Sequence, residues 1–483
     1  MTETPSISGR APAPSSLPSP TSAAPAAGPV LSALGLTTLL TGAALPFLDF
    51  FVVNVALPTI GRDLDAGPAL LEMVVGGYGV AYAVLLVLGG RLGDMVGRRR
   101  LFLWGTAAFG VTSVACGLAP DAWTLVLARV AQGAASALML PQVLATIQAT
   151  TEGPQRARAL SLYSGTAGVS SAVGQVLGGV LVSVDVAGTG WRSIFLINAP
   201  VAVAALVLAV RCLPETRSDR PTRVDGPGTV LLSLSLISLL VPLTEGRAAG
   251  WPVWAWLLLA VFPVATVAFV RVERAGERAG RTPLVPPSLL RLRGVRRGLA
   301  VLVPFSLGWG GFMFVLAVAL QEGLRLGPMA AGLALVPMCA TFFAGSLAGP
   351  RLVSRFGHRR VVVAGAVVQG VGLAGVLTMF WAGWKGLGPL GLAPGLAVQG
   401  LGNGLLMPQT IRLVLADVPV AQAGVGTGVM VTTQQACMAL GVATLGSLFL
   451  SLAPAAGMRE ALAVTLGVQL VASVVTVALT RRL

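Results

Sequence analysis

Charge is what this sequence has least of. Only 11% of its 483 residues are Asp, Glu, Lys or Arg, against roughly 25% in an ordinary soluble domain. A chain of this size facing water needs charge on its surface, so the deficit excludes a large soluble protein and implies that lipid covers most of the surface. Cysteine is also scarce. Cys116, Cys212, Cys339 and Cys437 lie far apart, within or at the end of apolar runs, so neither a disulfide framework nor a metal site is implied. The single histidine, His358, sits in the basic loop Gly357-His358-Arg359-Arg360, where solvation is the simpler role than ligation. Lysine occurs once, at Lys385, and no G-x-x-x-x-G-K-[ST] loop is present to grip phosphate, which argues against ATP as the energy source. With no catalytic triad and no metal cluster in view, an enzyme is not expected, nor any bound cofactor.

What is present is apolar. Hydrophobic residues make up 55% of the chain. The net charge of +15 in a soluble protein would point to nucleic acid. Here the charges sit in short loops between apolar runs, so they speak of membrane orientation, and nucleic acid is not an expected partner. Residues 1–29 hold seven prolines, many Ala and Ser, and only Glu3 and Arg10 as charges. That composition buries too little apolar surface to order itself, and it lacks the basic start and short apolar core of a signal peptide. A disordered cytosolic tail is the expectation.

Apolar stretches of the roughly 20 residues needed to cross a bilayer then follow near 31–58, 70–90, 101–119, 122–148, 157–183, 193–211, 227–245, 252–271, 298–320, 329–350, 360–381, 386–411, 422–450 and 458–480. That is about fourteen transmembrane helices, an all-α polytopic membrane protein. Loop charges test the count. With both termini inside, the cytosolic segments carry 26 basic residues and the external ones 6, leaving Arg129 alone inside an apolar run. Basic residues near membrane ends are retained on the cytosolic side, so the bias supports an even helix count and this orientation.

The chain also repeats itself. Gln132-Gly133 followed by Pro141-Gln142 recurs as Gln399-Gly400 followed by Pro408-Gln409, an offset of 267. The loop from Arg91-Leu92 to Gly97-Arg98-Arg99 recurs as Arg351-Leu352 to Gly357-His358-Arg359, an offset of 260. Two alike halves in the same orientation, 30–212 and 298–483, thus enclose residues 213–297, two inserted helices and a basic linker at 271–297. Parallel halves with substrate near the midplane between them are the logic of many secondary transporters.

Two charges lie where charge is costly. Asp49, in Leu48-Asp49-Phe50-Phe51-Val52-Val53-Asn54-Val55-Ala56-Leu57-Pro58, costs about 2.5–3.5 kcal/mol on insertion scales. A carboxyl that holds or loses a proton there suits proton coupling; a hydrogen-bonded structural Asp near the helix end is the alternative. Arg129 must find a carboxylate, a carbonyl or cavity water, and either Asp49 or Glu72 qualifies as its partner. In the first basic loop, Gly90, Gly93 and Gly97 permit a tight turn and close helix approach, and Asp94 can pair with a neighbouring Arg or a helix N-terminus. Ser170, Gly174 and Gly178, spaced by four in the fifth apolar run, make a groove for close helix contact. Gln142 and Gln409 either face a central cavity or bond between helices. Trp309, Phe312 and Phe314 supply an aromatic wall or ordinary packing.

The run beginning at Leu48 resembles the L-D-x-x-x-V-N-V-A-L-P signature of the fourteen-helix drug:proton antiporter family of the major facilitator superfamily. Gly90 to Arg100 is similar to that superfamily's G-x-L-x-D-x-x-G-R-[KR] loop, Arg129-Val130-Ala131-Gln132-Gly133 to its R-x-x-Q-G, and Trp191 to Pro200 to W-R-W-I-F-x-I-N-x-P. The antiporter motif G-x-x-x-G-P-x-x-G-G is met with a departure: Gln175 stands where proline is usual. The resemblance implies export of small amphipathic or cationic drugs or antibiotics by alternating access, driven by the proton gradient alone, across a bacterial inner membrane. It implies Asp49 and Arg129 as coupling residues and Gly90, Asp94, Gly97 and Arg98 as a conformational latch. Ser354 replaces the Asp in the second copy of that loop. Asn54, Gln142, Gln175, Trp309 and Gln409 are the expected cavity residues. Expected partners are the bilayer, protons and a small-molecule substrate, with the chain acting as a monomer. A dedicated exporter of one natural product is the second reading, since 32 Arg to a single Lys points to a GC-rich genome where self-resistance pumps occur. A non-transporting membrane sensor or scaffold is the third.

Overall fold

The computed structural model describes residues 31–185, 188–216, 225–246, 249–281, 283–383, 387, 388 and 390–481. The proline-rich segment 1–30 and Lys385 lie outside them, as do the side chains of a few helical residues, Gln175 among these. The described residues contain no strand, and the fold is all-α.

The helices are α1 (Ala33–Asp63), α2 (Pro68–Val96), α3 (Arg98–Gly117), α4 (Ala122–Thr150), α5 (Gly153–Val184), α6 (Asn198–Cys212), α7 (Gly226–Glu245), α8 (Val253–Arg278), α9 (Arg293–Val318), α10 (Pro328–Phe356), α11 (His358–Gly383), α12 (Ala393–Leu415), α13 (Ala423–Gly441) and α14 (Met458–Arg481). A π-turn at Ala319–Gly323 prolongs α9, and another at Val442–Gly446 joins α13 to its continuation Ser447–Ala456. Eleven of these are long and apolar enough to cross a membrane by length and composition. The other three, α3, α5 and α12, stand where crossings were expected. Two of them fall short because they carry polarity: Arg98, Arg99 and Arg100 open α3, and α12 holds Gln399, Asn403, Gln409 and Arg412; in α5 the side chains of residues 171, 172 and 175 lie outside the described residues. Fourteen crossings are compatible with this arrangement.

Local chemistry sets the ends. Ser32, Asp121 and Asp225 accept backbone N–H bonds from Gly35, Thr124 and Gly228 at 3.0, 2.9 and 3.0 Å, capping α1, α4 and α7, which satisfies donors a helix leaves open. Single glycines separate α2 from α3 and α10 from α11; Gly97 and Gly357 sit at φ +114° and +84°, where a side chain is strained. The twelfth helix begins later than the expected 386, because Leu390–Leu392 form a turn before Pro394 takes a first-turn position of α12, where its missing N–H has no helical partner to lose. The sixth crossing runs over Gly190–Cys212: a short helical segment Ser193–Leu196 leads into α6 with a break at Ile197.

The repeat is visible in the packing. Within the first half α1 lies on α5 and α2 and α3 on α4; in the second α9 lies on α13 and α10 and α11 on α12. The contacts recur at the sequence offsets. A Cβ on Gly133 would lie 2.3 Å from the Tyr78 carbonyl oxygen, and one on Gly400 lies 2.1 Å from that of Met338. Gly105 packs on Met139 and Gly365 on Leu406 in the same way. Glycines therefore bring backbones together where a Cβ has no room.

The halves meet through α5 against α10 and α2 against α13. At the end carrying the basic loops, Leu144, Ile147, Leu289, Val295, Leu302, Val414, Leu415, Val418 and Val425 form one buried apolar core drawn from both halves. At the opposite end each half keeps its own core, around Trp191 and Phe195 in one and around Phe312 and Phe380 in the other. The inserted helices α7 and α8 pair with each other, and α7 lies against α2 and α13. The linker folds back on α8: Glu273 accepts from the Val285 N–H at 2.7 Å.

Candidate functional site

A groove in α5 decides how α1 is seated. Cβ atoms on Gly174 and Gly178 would lie 2.8 Å from the carbonyl oxygens of Leu48 and Val52, so α1 presses its backbone into α5 on either side of Asp49. The opposite face of α1 then turns Asp49 towards α4 and α6, and the carboxylate is wholly buried. It is ion-paired with Arg129, also wholly buried. Gln132 and Asn198 donate to its other oxygen at 3.1 and 2.9 Å. Arg129 donates to Gln132 Oε1 at 2.9 Å and through Nε to the Val74 carbonyl at 3.1 Å. Asn198 reaches Ser113 at 3.0 Å, and Ser113 bonds the Phe195 carbonyl at 2.9 Å. Burying a carboxylate and a guanidinium is tolerable only with such pairing and saturation. Arg129 Nη2 is the exception, buried without a partner among the described residues.

The Arg129 guanidinium also stacks 4.2 Å over the Tyr78 ring. The Tyr78 hydroxyl lies 2.9 Å from Ser136 Oγ and donates to the Pro46 carbonyl at 3.3 Å. Tyr78 is the wall between this charged cluster and a central cavity of about 140 Å³. The cavity lies between the halves, and several of its lining residues, including Tyr82, Leu140, Ile411 and Met430, belong to the shared core at the basic end. Phe50, Tyr78 and Tyr82 come from the first half; Phe305, Trp309 and Phe342 come from the second.

A second polar cluster joins the halves at the basic end. Arg98 donates to Asp94 at 2.9 Å and to the Val420 carbonyl, 322 residues away, at 2.8 Å. Asp94 accepts the Gly424 and Val425 N–H groups at 3.3 Å each, a carboxylate at the N-terminus of α13, where the helix dipole favours it. Gly90 and Gly424 meet backbone to backbone; a Cβ on either would lie within 2.2 Å of the other's carbonyl oxygen. Gln148 donates to the Leu415 and Val418 carbonyls at 3.1 Å each. Apart from the Arg98–Asp94 bond, each of these contacts crosses from one half to the other.

Comparison with known proteins settles the family. The model of the Major Facilitator Superfamily matches residues 39–442. The chain belongs to the Major Facilitator Superfamily. It is 38% identical over 422 residues to the probable actinorhodin transporter of Streptomyces coelicolor, covering 87% of this chain and 72% of that protein. It is 32% identical over 419 residues to the tetracenomycin C resistance and export protein of Streptomyces glaucescens, covering 86% and 76%. Among solved structures, the human organic anion transporter MFSD10 superposes with a TM-score of 0.66 at 16% identity, over 91% of this chain and 98% of that one, a likeness of fold.

Within this transporter fold the expected residues take distinct places. Asp49 is Arg129's partner; Glu72 stands apart, near Glu245 of α7. Gly90, Asp94 and Arg98 lie in the contact between halves, and Gly97 in the turn beside them, with Glu215 where its Cβ would go. Trp309 lines the cavity, whereas Phe312 is buried in the second half's own core. Gln142 does not face the cavity: it is buried over Gly93, and its amide donates to the Gly89 and Leu138 carbonyls at 2.9 and 3.0 Å. Gln409 is likewise buried, beside Gly349, and accepts from Arg412 at 3.4 Å. These two are drawn inward because glycine on the neighbouring helix leaves room for an amide there. Asn54 is exposed and donates to the Phe50 carbonyl of its own helix at 3.2 Å; it is not among the lining residues. The side chain of Gln175 lies outside the described residues. Ser354 is exposed and donates to the Arg351 carbonyl at 2.8 Å.

Tyr78, Ser113, Asn198, Gln148, Gly424, Gln434 and Gln435 were not singled out from the sequence. The adjacent amides Gln434 and Gln435 stand inside an apolar run, the same signal that drew notice to Asp49, and both line the cavity.

Proposed function

We propose that this protein exports small amphipathic, drug-like molecules from the cell in exchange for protons, by alternating access between its two halves. The observation that carries the reading is the Asp49–Arg129 pair, buried in one half and separated from the central cavity by the single ring of Tyr78. In the present arrangement the Asp49 oxygens accept from Arg129, Gln132 and Asn198, which suits a carboxylate. A proton on Asp49 discharges the pair and leaves Arg129 uncompensated behind Tyr78. The wall of the cavity then changes its charge, and proton uptake and substrate occupancy become linked.

The positive-inside bias assigns the basic end to the cytosol, both termini with it, and the membrane to the bacterial inner membrane. On that assignment the shared core and the Asp94–Arg98 contact close the cytosolic side, so the cavity belongs to the outward-facing state. The polar composition of α3 and α12 suits helices that cross the bilayer inside the bundles, which supports fourteen crossings.

The test is transport by purified protein in liposomes under an imposed pH gradient. Asp49→Asn should abolish proton-driven uptake while leaving substrate binding in place. Undiminished transport by that variant would remove Asp49 from coupling. A second reading, a self-resistance exporter dedicated to one natural product, is favoured by relatives named for actinorhodin and tetracenomycin C. A narrow substrate range in an accumulation assay against a compound panel separates it from broad efflux.

A further inference from the structure

We infer that the central cavity selects flat, uncharged, oxygen-bearing polycyclic compounds and discriminates against permanent cations; the inference rests on the export reading and names its substrate class.

The first ground is charge. Among the described residues, no Asp, Glu, Lys, Arg or His lines the cavity. The nearest carboxylate, Asp49, is wholly buried behind the wall, with both oxygens already bonded. A cation entering this space leaves water without meeting a counter-charge. Aromatic faces attract cations, and the lining rings other than Tyr78, which already carries the Arg129 guanidinium at 4.2 Å, offer only that modest attraction in place of a counter-charge. Once a proton neutralises Asp49, that guanidinium stands uncompensated one ring away from the guest.

The second ground is shape. In the first half Phe50 lies 6.0 Å from Tyr78, and Tyr78 stacks at 6.3 Å on Tyr82, ring centre to ring centre. In the second half Trp309 lies 6.4 Å from Phe342. All five line the same space, so a flat ring system meets aromatic surface from both halves, the arrangement that favours stacked and edge-to-face contact. The third ground is polarity. Gln434 and Gln435 line the cavity, and among the described residues neither amide is hydrogen-bonded to the protein. A few placed polar groups in an apolar pocket fix a ligand's orientation, and two amides suit hydroxyl and carbonyl oxygens on a ring edge.

The experiment compares equilibrium binding, by dialysis, of three probes to the purified full chain in lipid nanodiscs. They are a dihydroxyanthraquinone, the same compound bearing a trimethylammonium arm, and anthracene. The dihydroxyanthraquinone should bind at least tenfold more tightly than its cationic derivative. A Gln434→Leu, Gln435→Leu variant should lose about tenfold for the hydroxylated probe and bind anthracene as before, which also shows that it folds. Equal or tighter binding of the cation, or no effect of the double variant on the hydroxylated probe, overturns the inference. Binding of the expected kind without proton-driven flux in liposomes upholds the ligand class and removes the export reading. Flux of the cationic derivative alone does the reverse.

Discussion

Arg129 is held by a carboxylate, a side-chain amide oxygen and a backbone carbonyl, with its face against a tyrosine ring. Removing one member of a buried ion pair costs about 3–5 kcal/mol, because the other charge is left without compensation, whereas replacing both is far milder. Arg129→Met should therefore lower the thermal stability of the detergent-purified protein by about that amount. The double variant Asp49→Asn, Arg129→Met should regain most of the loss. If the double variant unfolds as early as Arg129→Met alone, the two residues are not coupled in stability. The need for a partner was legible in the sequence, since a lone basic residue in an apolar run cannot stay unpaired. Its choice of Asp49 over Glu72 was not, because that depends on how the α5 groove rotates α1. Asn198 and Gln132 lay inside recognised motifs without an assigned task; their bonds to Asp49 give them one.

At the scale of helices, the contact between α2 and α13 is the most informative. Asp94 takes two N–H groups at the start of α13, and Arg98 takes a carbonyl just before it. Hydrogen bonds to charged groups contribute about 1.5–3 kcal/mol each. Asp94→Ala should thus shift the two-state equilibrium away from closure at the basic end by at least tenfold. In a cysteine-free background, Val418→Cys, which is buried in the shared core, should become correspondingly faster to label with a water-soluble maleimide. Gly90→Val should act in the same direction by another cause, since its first carbon alone would lie 2.1 Å from the Gly424 carbonyl oxygen. Unchanged labelling in both variants would mean that this contact does not hold the halves together. Sequence patterning located these helices because each crosses an apolar solvent, and it marked Asp94 as able to pair with a neighbouring Arg, but it put both residues in a loop, whereas Asp94 stands in the last turn of α2 and Arg98 opens α3. It left Gly424 and Val420 unseen, since a backbone group offers no signal until another chain segment arrives beside it. The same reason explains Gln142, whose amide was expected in the cavity and instead fills the space over Gly93.

For the molecule as a whole, the repeat explains both the likeness of the halves and their division of labour. The offset of 260 that carries Arg91 to Arg351 also carries Asp49 to Trp309, and the offset of 267 carries Arg129 to Leu396 and Ser136 to Asn403. The second half thus has no charged pair at the equivalent place. It offers an aromatic ring to the cavity instead, and Gln399 and Asn403 are buried in α12 with amide atoms lacking a partner among the described residues. Both bundles therefore present aromatic rings to the same space, and the first sets a buried ion pair behind its rings. Parallel halves further require that equivalent loops share a side of the membrane, whatever the number of helices between them. Single cysteines replacing Arg100 and Arg359, again in a cysteine-free background, should both resist an impermeant thiol reagent on intact cells and both react in inverted vesicles. A cysteine replacing Asp121, which caps α4 at the other end, should behave the opposite way. Reaction of the Arg100 and Arg359 sites from opposite sides would require an odd number of crossings between them, and a parallel repeat around one cavity does not survive that result.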